Sequence, residues 1–396
     1  MSEVGISADG SGLMHHWRDK RTRAVIIQVF AMAAIFAVGY WLISNAVGNL
    51  ARLDKSFGFD FLFSPASYDV NQALIEYDSR MPHHRAALVG ILNTALVAFC
   101  GIVLATILGF ILGVLRLSSN WLVSRITYCY VEMTRNVPLL VQILLWHAIV
   151  VHSFPHPKQA IVLAEGWALS NRGLYIPRPV FEPGFWIVLA ALAVAVVGAI
   201  VFARWAKGVQ NATGRIYPVF WVSLAAIVAL PILAYLAAGQ PISFDMPEMG
   251  RFRWTGGLAV LPEFAALWWA LSLYTAAFIA EIVRAGIQAV NHGQSEAALS
   301  LGLRQGRVLR LVVIPQALRV IIPPLTSQYL NLTKNSSLAI AIGYMDIVAT
   351  LGGITLNQSG KEMECMMLVL LLYLSFSLLI SVLMNWYNKR IALVER

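Results

Sequence analysis

Long apolar runs separated by short polar segments dominate this 396-residue sequence. A run of about 20 apolar residues is long enough to cross the hydrocarbon core of a bilayer as a helix. Such runs predict spans at about residues 24–44, 87–115, 130–151, 185–202, 219–236, 264–282, 317–341 and 366–386. The pattern therefore predicts an all-α polytopic membrane protein with about eight transmembrane helices.

Charged residues are few and are concentrated at the ends of these runs. The chain is 59% hydrophobic and 12% charged, which excludes an ordinary soluble domain because a surface that faces water needs far more charge. The net charge of +9 does not indicate nucleic acid binding, since no basic patch interleaved with aromatic residues occurs. Lys and Arg accumulate instead in alternate polar segments, as the positive-inside rule expects. This bias predicts that both termini lie in the cytoplasm.

The polar segments are expected to alternate across the membrane. Residues 1–23 end in four basic residues and are predicted to form a cytoplasmic tail. The first apolar run is nearer spanning length than signal-peptide length and lacks a small-residue cleavage site, so it is expected to remain as a helix. The nearly neutral segment 45–85 suits the outer side. Residues 152–183, with five prolines, are predicted to be irregular there, and residues 239–262 to be another outer loop.

The run at 317–341 is interrupted by polar residues and by two adjacent prolines, Pro323 and Pro324. A broken helix at membrane depth normally lines a cavity or packs inside protein, because its freed backbone groups cannot face lipid. Side chains of the interruption could contact a substrate or could satisfy the broken backbone, and the sequence leaves both interpretations open. The candidates are Lys334, Asn335, Ser336 and Ser337.

Glu281 and Arg284 lie near the inner end of a predicted span. Ionisable groups there are costly unless they are paired or hydrated. Glu281 could line the pathway and meet a substrate ammonium or gate its exit. The two residues could equally form an i, i+3 ion pair that anchors the end of the helix.

A polar, basic segment at 291–315 separates two of the apolar runs. Arg304, Arg307 and Arg310 recur every third residue, so a helix would place them on roughly one face, and Pro315 is expected to stop or kink the chain at its end. Such a helix could dock into a groove of a soluble partner. It could also lie on anionic lipid headgroups, and the physical pattern does not separate the two interpretations.

Neither a metal site nor a catalytic site is expected in this chain. Cys100, Cys129 and Cys365 lie far apart in or beside apolar runs and are predicted to be packing residues without disulfides. The pairs His15-His16 and His83-His84 have no further ligands nearby in sequence. No G-x-x-x-x-G-K-[ST] loop for ATP phosphates and no cluster of nucleophile and base is visible, so no cofactor is expected here.

The segment EAALSLGLRQGRVLRLVVIP at 296–315 resembles, at matching spacing, the EAA loop of ABC-importer permeases. In that family the loop is the cytoplasmic segment through which the membrane subunit binds its ATPase. The resemblance implies that the 291–315 segment couples this chain to an ATPase. The coupling residues it implies are Glu296, Ala297, Ala298, Gly302, Arg304, Arg307, Arg310 and Pro315.

Further motifs resemble the polar amino-acid family of these permeases. They are GILNTALVAF at 90–99, EMTRNVPLLVQ at 132–142, YTAAFIAEIVRAGI at 274–287 and KNSSLA at 334–339. One departure is NVP at 136–138, where many relatives have GTP. The resemblance implies a type I core of five helices, and the three extra helices look like those of the larger permease subunit of general L-amino-acid uptake systems.

The resemblance also implies a division of the chain. It divides into residues 1–85 (tail, extra first helix and periplasmic segment), 86–153 (first part of the core), 154–262 (periplasmic segments with an inserted helix pair) and 263–396 (second part of the core).

The implied function is import of L-amino acids from the periplasm to the cytoplasm across the bacterial inner membrane. The implied partners are a cytoplasmic ATPase dimer that uses ATP and Mg, a second and different permease, a periplasmic amino-acid-binding protein and membrane lipid. An ion-gradient-driven transporter would show internal repeats and acidic residues at mid-membrane, and neither is evident. A scaffold subunit that transports nothing would leave the EAA spacing unexplained.

Overall fold

The computed structural model describes residues 20–52, 57–251 and 254–391. Within them the helices are α1 Lys20–Arg52, α2 His83–Leu115, α3 Trp121–Asn136, α4 Leu139–Ser153, α5 Phe185–Thr213, α6 Val219–Ala237, α7 Pro262–Gln288, α8 His292–Ser300, α9 Gln305–Val308, α10 Ile314–Asn335, α11 Leu356–Ser359 and α12 Glu362–Ile391. Seven of the described stretches are long and apolar enough to cross a membrane, or eight if α3 and α4 together make one span. The prediction of a largely helical protein with about eight spans is confirmed. Below, "inner" denotes the side that the positive-inside pattern predicts to be cytoplasmic.

Helix α7 is the centre of the fold, because α2, α3, α4 and α10 all pack against it. Small residues on α2 allow the closest of these contacts. A Cβ at Gly109 would lie 2.5 Å from Cβ of Ile279, and one at Gly113 would lie 2.6 Å from Cβ of Val283. Because real Cβ atoms do not approach that closely, these two glycines set the distance between α2 and α7.

Helices α3 and α4 are separated by a sharp bend of 108°. Asn120 caps the start of α3, where its Oδ1 accepts hydrogen bonds from the backbone N–H groups of Leu122 and Val123 at 3.0 and 3.3 Å. Pro138 precedes α4 and cannot donate a backbone hydrogen bond across the break. The buried amide of Gln142 donates instead to the carbonyls of Thr134 at 2.9 Å and Val137 at 3.0 Å.

Helix α10 is continuous through both of its prolines, so the prediction that Pro323 and Pro324 interrupt it is wrong. Neighbouring helices and local side chains can compensate for a missing N–H group within a membrane helix. The irregular backbone begins later, as a 3₁₀ helix at Ser336–Ile342. Pro315 does not end the helical structure either, because it lies in the first turn of α10, directly after a π-helical turn at Leu309–Val313.

The outer segments contain short strands, so the prediction that residues 152–183 are irregular is wrong. The strands are β1 Ile161–Ala164, β2 Trp167–Ser170, β3 Gly173–Ile176, β4 Arg178–Phe181, β5 Ile242–Asp245, β6 Glu248–Met249, β7 Trp254–Thr255 and β8 Leu258–Val260. Antiparallel pairing joins β1-β2-β3-β8 in one sheet and pairs β4 with β5 and β6 with β7. In the β4–β5 ladder Phe181 is opposite Ile242. The chain therefore enters α5 and comes back from α6 at the same place on the outer side.

The outer segment that precedes α2 is bonded to the region around the start of α12. The hydroxyl of Tyr68 and Nδ1 of His83 each lie 3.1 Å from Oγ1 of Thr355. The backbone N–H of Gly58 donates to the buried carboxylate of Glu364 at 3.0 Å. Burial raises the pKa of the Tyr68 hydroxyl above its ordinary value, so this hydroxyl stays protonated at physiological pH.

Candidate coupling and pathway sites

Residues 291–315, which we call the coupling segment after the resemblance, contain α8, α9 and a π-helical turn, with a non-helical turn between α8 and α9. The prediction of a single helix is wrong. Helix α8 ends at Ser300, and the chain then passes through Gly302 with φ of +79°. The N–H of Leu303 bonds to the carbonyl of Ala298 at 3.3 Å, and that of Gly302 bonds to Leu299 at 2.9 Å, which closes the helix end. Glycine is required here by its backbone conformation, and nothing lies within 4 Å of the Cβ that it lacks.

The coupling segment presents an apolar and basic surface. Arg304, Arg307 and Arg310 are exposed, and none of them forms an ion pair with any described residue. The Leu301 side chain at the turn is 82% exposed. Exposed leucine beside unpaired guanidinium groups is typical of a surface that binds another molecule.

The acidic and small residues of the EAA motif point in different directions. Glu296 is exposed, and its Oε1 lies 3.3 Å from Nδ1 of His292 one turn earlier. Ala297 is also exposed, whereas Ala298 is buried against the protein. Ala298 therefore holds α8 onto the rest of the protein while Ala297 faces outward.

Five charged residues form what we call the inner ionic cluster: Arg116, Glu132, Arg135, Glu281 and Arg284. The Glu281 carboxylate contacts the guanidinium of Arg116 through one oxygen and that of Arg284, at 2.5 Å, through the other. Glu132 lies 3.5 Å from Arg116 and 3.9 Å from Arg135. The cluster thus joins α3 and α7 to the end of α2, a connection that the i, i+3 spacing of Glu281 and Arg284 could not reveal.

The four polar candidates after Thr333 have different surroundings. Ser336 is buried, and its hydroxyl donates to the carbonyl of Thr333 at 2.8 Å. Lys334 is exposed, while Asn335 and Ser337 are half-buried. Ser336 therefore satisfies the backbone where α10 gives way to the 3₁₀ helix. Lys334 is the member of this group whose charge is available to another molecule.

A buried polar group at the outer ends of α2 and α12 was missed by sequence reasoning. The Asp346 carboxylate is fully buried and accepts hydrogen bonds from the N–H of Ala349 at 2.8 Å and the hydroxyl of Tyr373 at 3.0 Å. The Asn93 amide donates to the carbonyl of Met345 at 2.9 Å, and Tyr344 donates to the carbonyl of Asn93. The sequence signal was an Asn-Thr pair inside the otherwise apolar run at 87–115.

Glycine allows the segment that carries Asp346 to lie directly on α2. A Cβ at Gly90 would lie 2.9 Å from the carbonyl oxygen of Asp346 and would also collide with Thr350. Among the described residues no group of three His, Cys, Asp or Glu side chains is placed to hold a metal ion.

Comparisons with known proteins identify the family. The family described as "Binding-protein-dependent transport system inner membrane component" matches residues 211–393. The general L-amino acid transport system permease protein AapQ of Rhizobium johnstonii is 49% identical over 96% of this chain and 94% of its own length. The glutamate/glutamine/aspartate/asparagine transport system permease protein BztB of Rhodobacter capsulatus is also 49% identical, over 96% of both chains.

Among solved structures, a crystal structure of an amino acid ABC transporter with histidines aligns with 78% of this chain and 95% of that chain. Its TM-score is 0.46 and its sequence identity is 19%. The family assignment rests on the full-length sequence relatives. The chain belongs to the inner-membrane permease subunits of ABC-type amino-acid transport systems.

Proposed function

We propose that this chain is the permease subunit of an importer that moves L-amino acids from the periplasm to the cytoplasm, driven by ATP hydrolysis on a separate subunit. The observation that carries the coupling role is the exposed surface of α8 and α9, where Ala297, Leu301 and the three unpaired arginines lie together in sequence. The near-full-length similarity to AapQ and BztB supports amino acids as the substrate class.

The coupling segment is connected to two core helices at once. Its first helix, α8, begins three residues after the end of α7, and its π-helical turn leads directly into α10. Gly286 of α7 lies against Ile321 of α10, so these two helices are also packed on each other near the coupling segment. A displacement of α8 by an ATPase would therefore move α7 and α10 together. ATP and Mg would be held by the partner and not by this chain.

The inner ionic cluster is suited to gate the pathway at its cytoplasmic end. Both oxygens of Glu281 are engaged by guanidinium groups, so the carboxylate is not free to bind a substrate ammonium in this conformation. Separation of α3 from the end of α2 would break the Arg116–Glu132 contact, and separation of α2 from α7 would break the Arg116–Glu281 contact. We therefore assign Glu281 and Arg284 to an inner gate, and Lys334 with its neighbours Asn335 and Ser337 to the candidate pathway wall.

A second permease subunit would complete the pathway. Helix α12 leaves an apolar stripe exposed at Leu371, Leu374, Leu378 and Val382, and this spacing of three or four residues places them on one face. We propose that residues 86–153 and 263–396 form the core that pairs with the other subunit. Residues 1–85 and 154–262 would be additions, with the outer sheet facing the periplasmic binding protein and both termini in the cytoplasm.

The coupling role is tested by a matched pair of glycine variants. Gly302 and Gly306 both have open space around their missing Cβ, but only Gly302 has a positive φ. Valine strongly disfavours that conformation, so Gly302→Val should distort the turn, whereas Gly306→Val should leave it intact. We expect Gly302→Val to lose both co-purifying ATPase and ATP-driven uptake in proteoliposomes.

Gly306→Val is the control and should retain both properties. Normal ATP-driven uptake by Gly302→Val would argue strongly against docking at this turn. Purification of the tagged chain from native membrane should bring an ATPase and a second permease with it. Recovery of the chain alone, even after cross-linking at Arg304 to Arg310, would contradict the importer assignment.

A further inference from the structure

A cavity of about 630 Å³ opens at the inner ends of α2, α3 and α7, beside the inner ionic cluster. Among the described residues that line it, the polar ones are basic or uncharged and none carries a carboxylate. The lining includes Arg116, Arg125, Arg284, Ser118, Ser119 and Ser124. Guanidinium and hydroxyl donors converge here; Arg116 and Arg284 also pair with Glu281, whereas Arg125 has no acidic partner among the described residues. Such a set of donors can recognise phosphate.

The positive charge around this cavity is not neutralised by the protein. Across the inner ionic cluster and Arg125, four guanidinium groups face only two carboxylates, those of Glu132 and Glu281. Arg125 is exposed and pairs with no carboxylate among the described residues. An excess of two positive charges therefore remains, and Arg125 is the arginine with no acidic partner.

Two of the arginines, Arg116 and Arg125, lie against the same aromatic ring. The guanidinium carbon of Arg116 lies 5.1 Å and that of Arg125 5.4 Å from the centroid of the Tyr128 ring. Two like charges at one ring repel each other, and an anion in the cavity that both arginines line would offset that repulsion.

The cavity adjoins an apolar stripe that faces away from the protein. Leu122, Ile126, Cys129 and Met133 on α3 are all exposed and follow the 4, 3, 4 spacing of one helix face. The opposite face is buried on α7 through Val131. At the start of the stripe the indole of Trp121 is 75% exposed and also lines the cavity. Tryptophan beside arginine at the end of a membrane-spanning region is typical of the headgroup level of a bilayer.

We propose that this cavity binds the headgroup phosphate of an anionic phospholipid of the inner leaflet. Arg116 and Arg125 would hold the phosphate, and Ser118 and Ser119 would donate to glycerol or headgroup oxygens, since the Ser124 hydroxyl already donates to the carbonyl of Arg116. The acyl chains would lie along the exposed stripe of α3. A soluble phosphate compound offers the same anion, but it has no acyl chains to cover the apolar stripe of α3. A second cavity lies beside α8, and Gln288 lines both cavities. The lipid would therefore lie next to the coupling segment.

The test is a lipid titration of the delipidated, purified protein followed by native mass spectrometry. The probes are phosphatidylglycerol and phosphatidylcholine with identical acyl chains, and inorganic phosphate as a competitor. Wild-type protein should retain phosphatidylglycerol in preference to phosphatidylcholine. Arg125→Gln should weaken phosphatidylglycerol binding about fivefold, the effect expected for one arginine at an anionic surface. Ile126→Ser should also weaken it, since it shortens the apolar stripe.

Two control variants make the result specific. Arg215→Gln removes an equally exposed arginine from the predicted inner loop between α5 and α6 and should leave binding unchanged. Arg125→Lys keeps the charge and should retain most of the affinity. Because Arg125 is exposed, the melting temperature of Arg125→Gln in lipid-free detergent should match wild type.

Three outcomes would overturn the proposal. Equal loss of binding in Arg125→Gln and Arg215→Gln would show general charge attraction without a site. Displacement of the lipid by millimolar inorganic phosphate, with no difference between the two lipids, would assign the cavity to a soluble anion. Unchanged lipid binding in Arg125→Gln together with release of the co-purifying ATPase would assign it to the protein partner.

Discussion

Helices α5 and α7 are both apolar enough to span a membrane, yet they have opposite surroundings. The most apolar stretch of α7 is 61% buried within the protein, whereas that of α5 is 6% buried and those of α1 and α6 are not buried at all. Mean hydropathy does not predict which helix is buried, because its value for the exposed α5, 2.8, is higher than its value for the buried α7, 1.6. Hydropathy reports that a helix can cross the bilayer, while small and polar residues at regular spacing report that it packs on another helix.

The largest expected difference is between glycines of the core and of the added helices. Gly113→Val would place a side chain 2.6 Å from Cβ of Val283 and 2.8 Å from the carbonyl of Ala280, whereas nothing lies within 4 Å at Gly198 of α5. We expect Gly113→Val to destabilise the protein by about 3 kcal/mol or more and Gly198→Val by no more than about 0.5 kcal/mol. Thermal unfolding in detergent measures both, and equal effects would contradict the distinction between core and added helices.

A smaller difference is expected for two tyrosine hydroxyls. Tyr373→Phe removes one donor from the buried Asp346 carboxylate, which should destabilise the protein by about 1.5–3 kcal/mol because a charged acceptor loses a partner. Tyr235→Phe in α6 removes a hydroxyl with no hydrogen bond to any described residue and should be nearly neutral. The same unfolding measurement applies, and a neutral Tyr373→Phe would show that water or a shifted group replaces the hydroxyl.

The inner ionic cluster should show a graded effect on transport. Glu281→Gln removes the carboxylate that joins Arg116 and Arg284, and we expect it to reduce uptake strongly while the ATPase stays bound. Glu132→Gln loses only the longer contacts at 3.5 and 3.9 Å and should reduce uptake less. The stability effect of either change should be about 1 kcal/mol or less, since both side chains are partly exposed. Normal uptake by Glu281→Gln would exclude the gate.

The smallest effect is expected from removing the added helix pair. Since Phe181 is opposite Ile242 in the β4–β5 ladder, an Asn-Gly turn can replace residues 182–241 and keep the strands paired. The shortened protein should unfold within a few degrees of wild type and should still bind the ATPase. Loss of folding would show that α5 and α6 support the core, contrary to their low burial.

Much of the helical architecture could be predicted because the length of an apolar run directly reflects the thickness of the bilayer. The strands could not be predicted, because each spans at most four residues. Paired residues are up to 86 positions apart in the sequence, as for Leu174 and Val260. Local pattern carries no information about such distant pairing. Pro323 and Pro324 were given too much weight, because tertiary contacts can support a proline within a membrane helix.

Some contacts in the candidate sites could be predicted and others could not, again because a local pattern does not reveal contacts between distant parts of the chain. The contact between Glu281 and Arg284 follows from helical spacing, but that between Arg116 and Glu281 depends on how α2 packs on α7. Gly302 was singled out only through the resemblance to the EAA loop, and its left-handed backbone at the turn after α8 could not be predicted from that motif. Asp346 was missed because one acidic residue between apolar segments does not reveal that Tyr373 will reach it.

The bend between α3 and α4 gives the core a mechanical element. One amide, that of Gln142, holds the carbonyls of Thr134 and Val137, so the angle of 108° cannot change unless hydrogen bonds of about 1 kcal/mol each are broken. These two bonds favour movement of α3 and α4 as one bent unit. A rotation of α3 would then swing α4, so a motion at the inner side would be passed toward the outer side along the backbone.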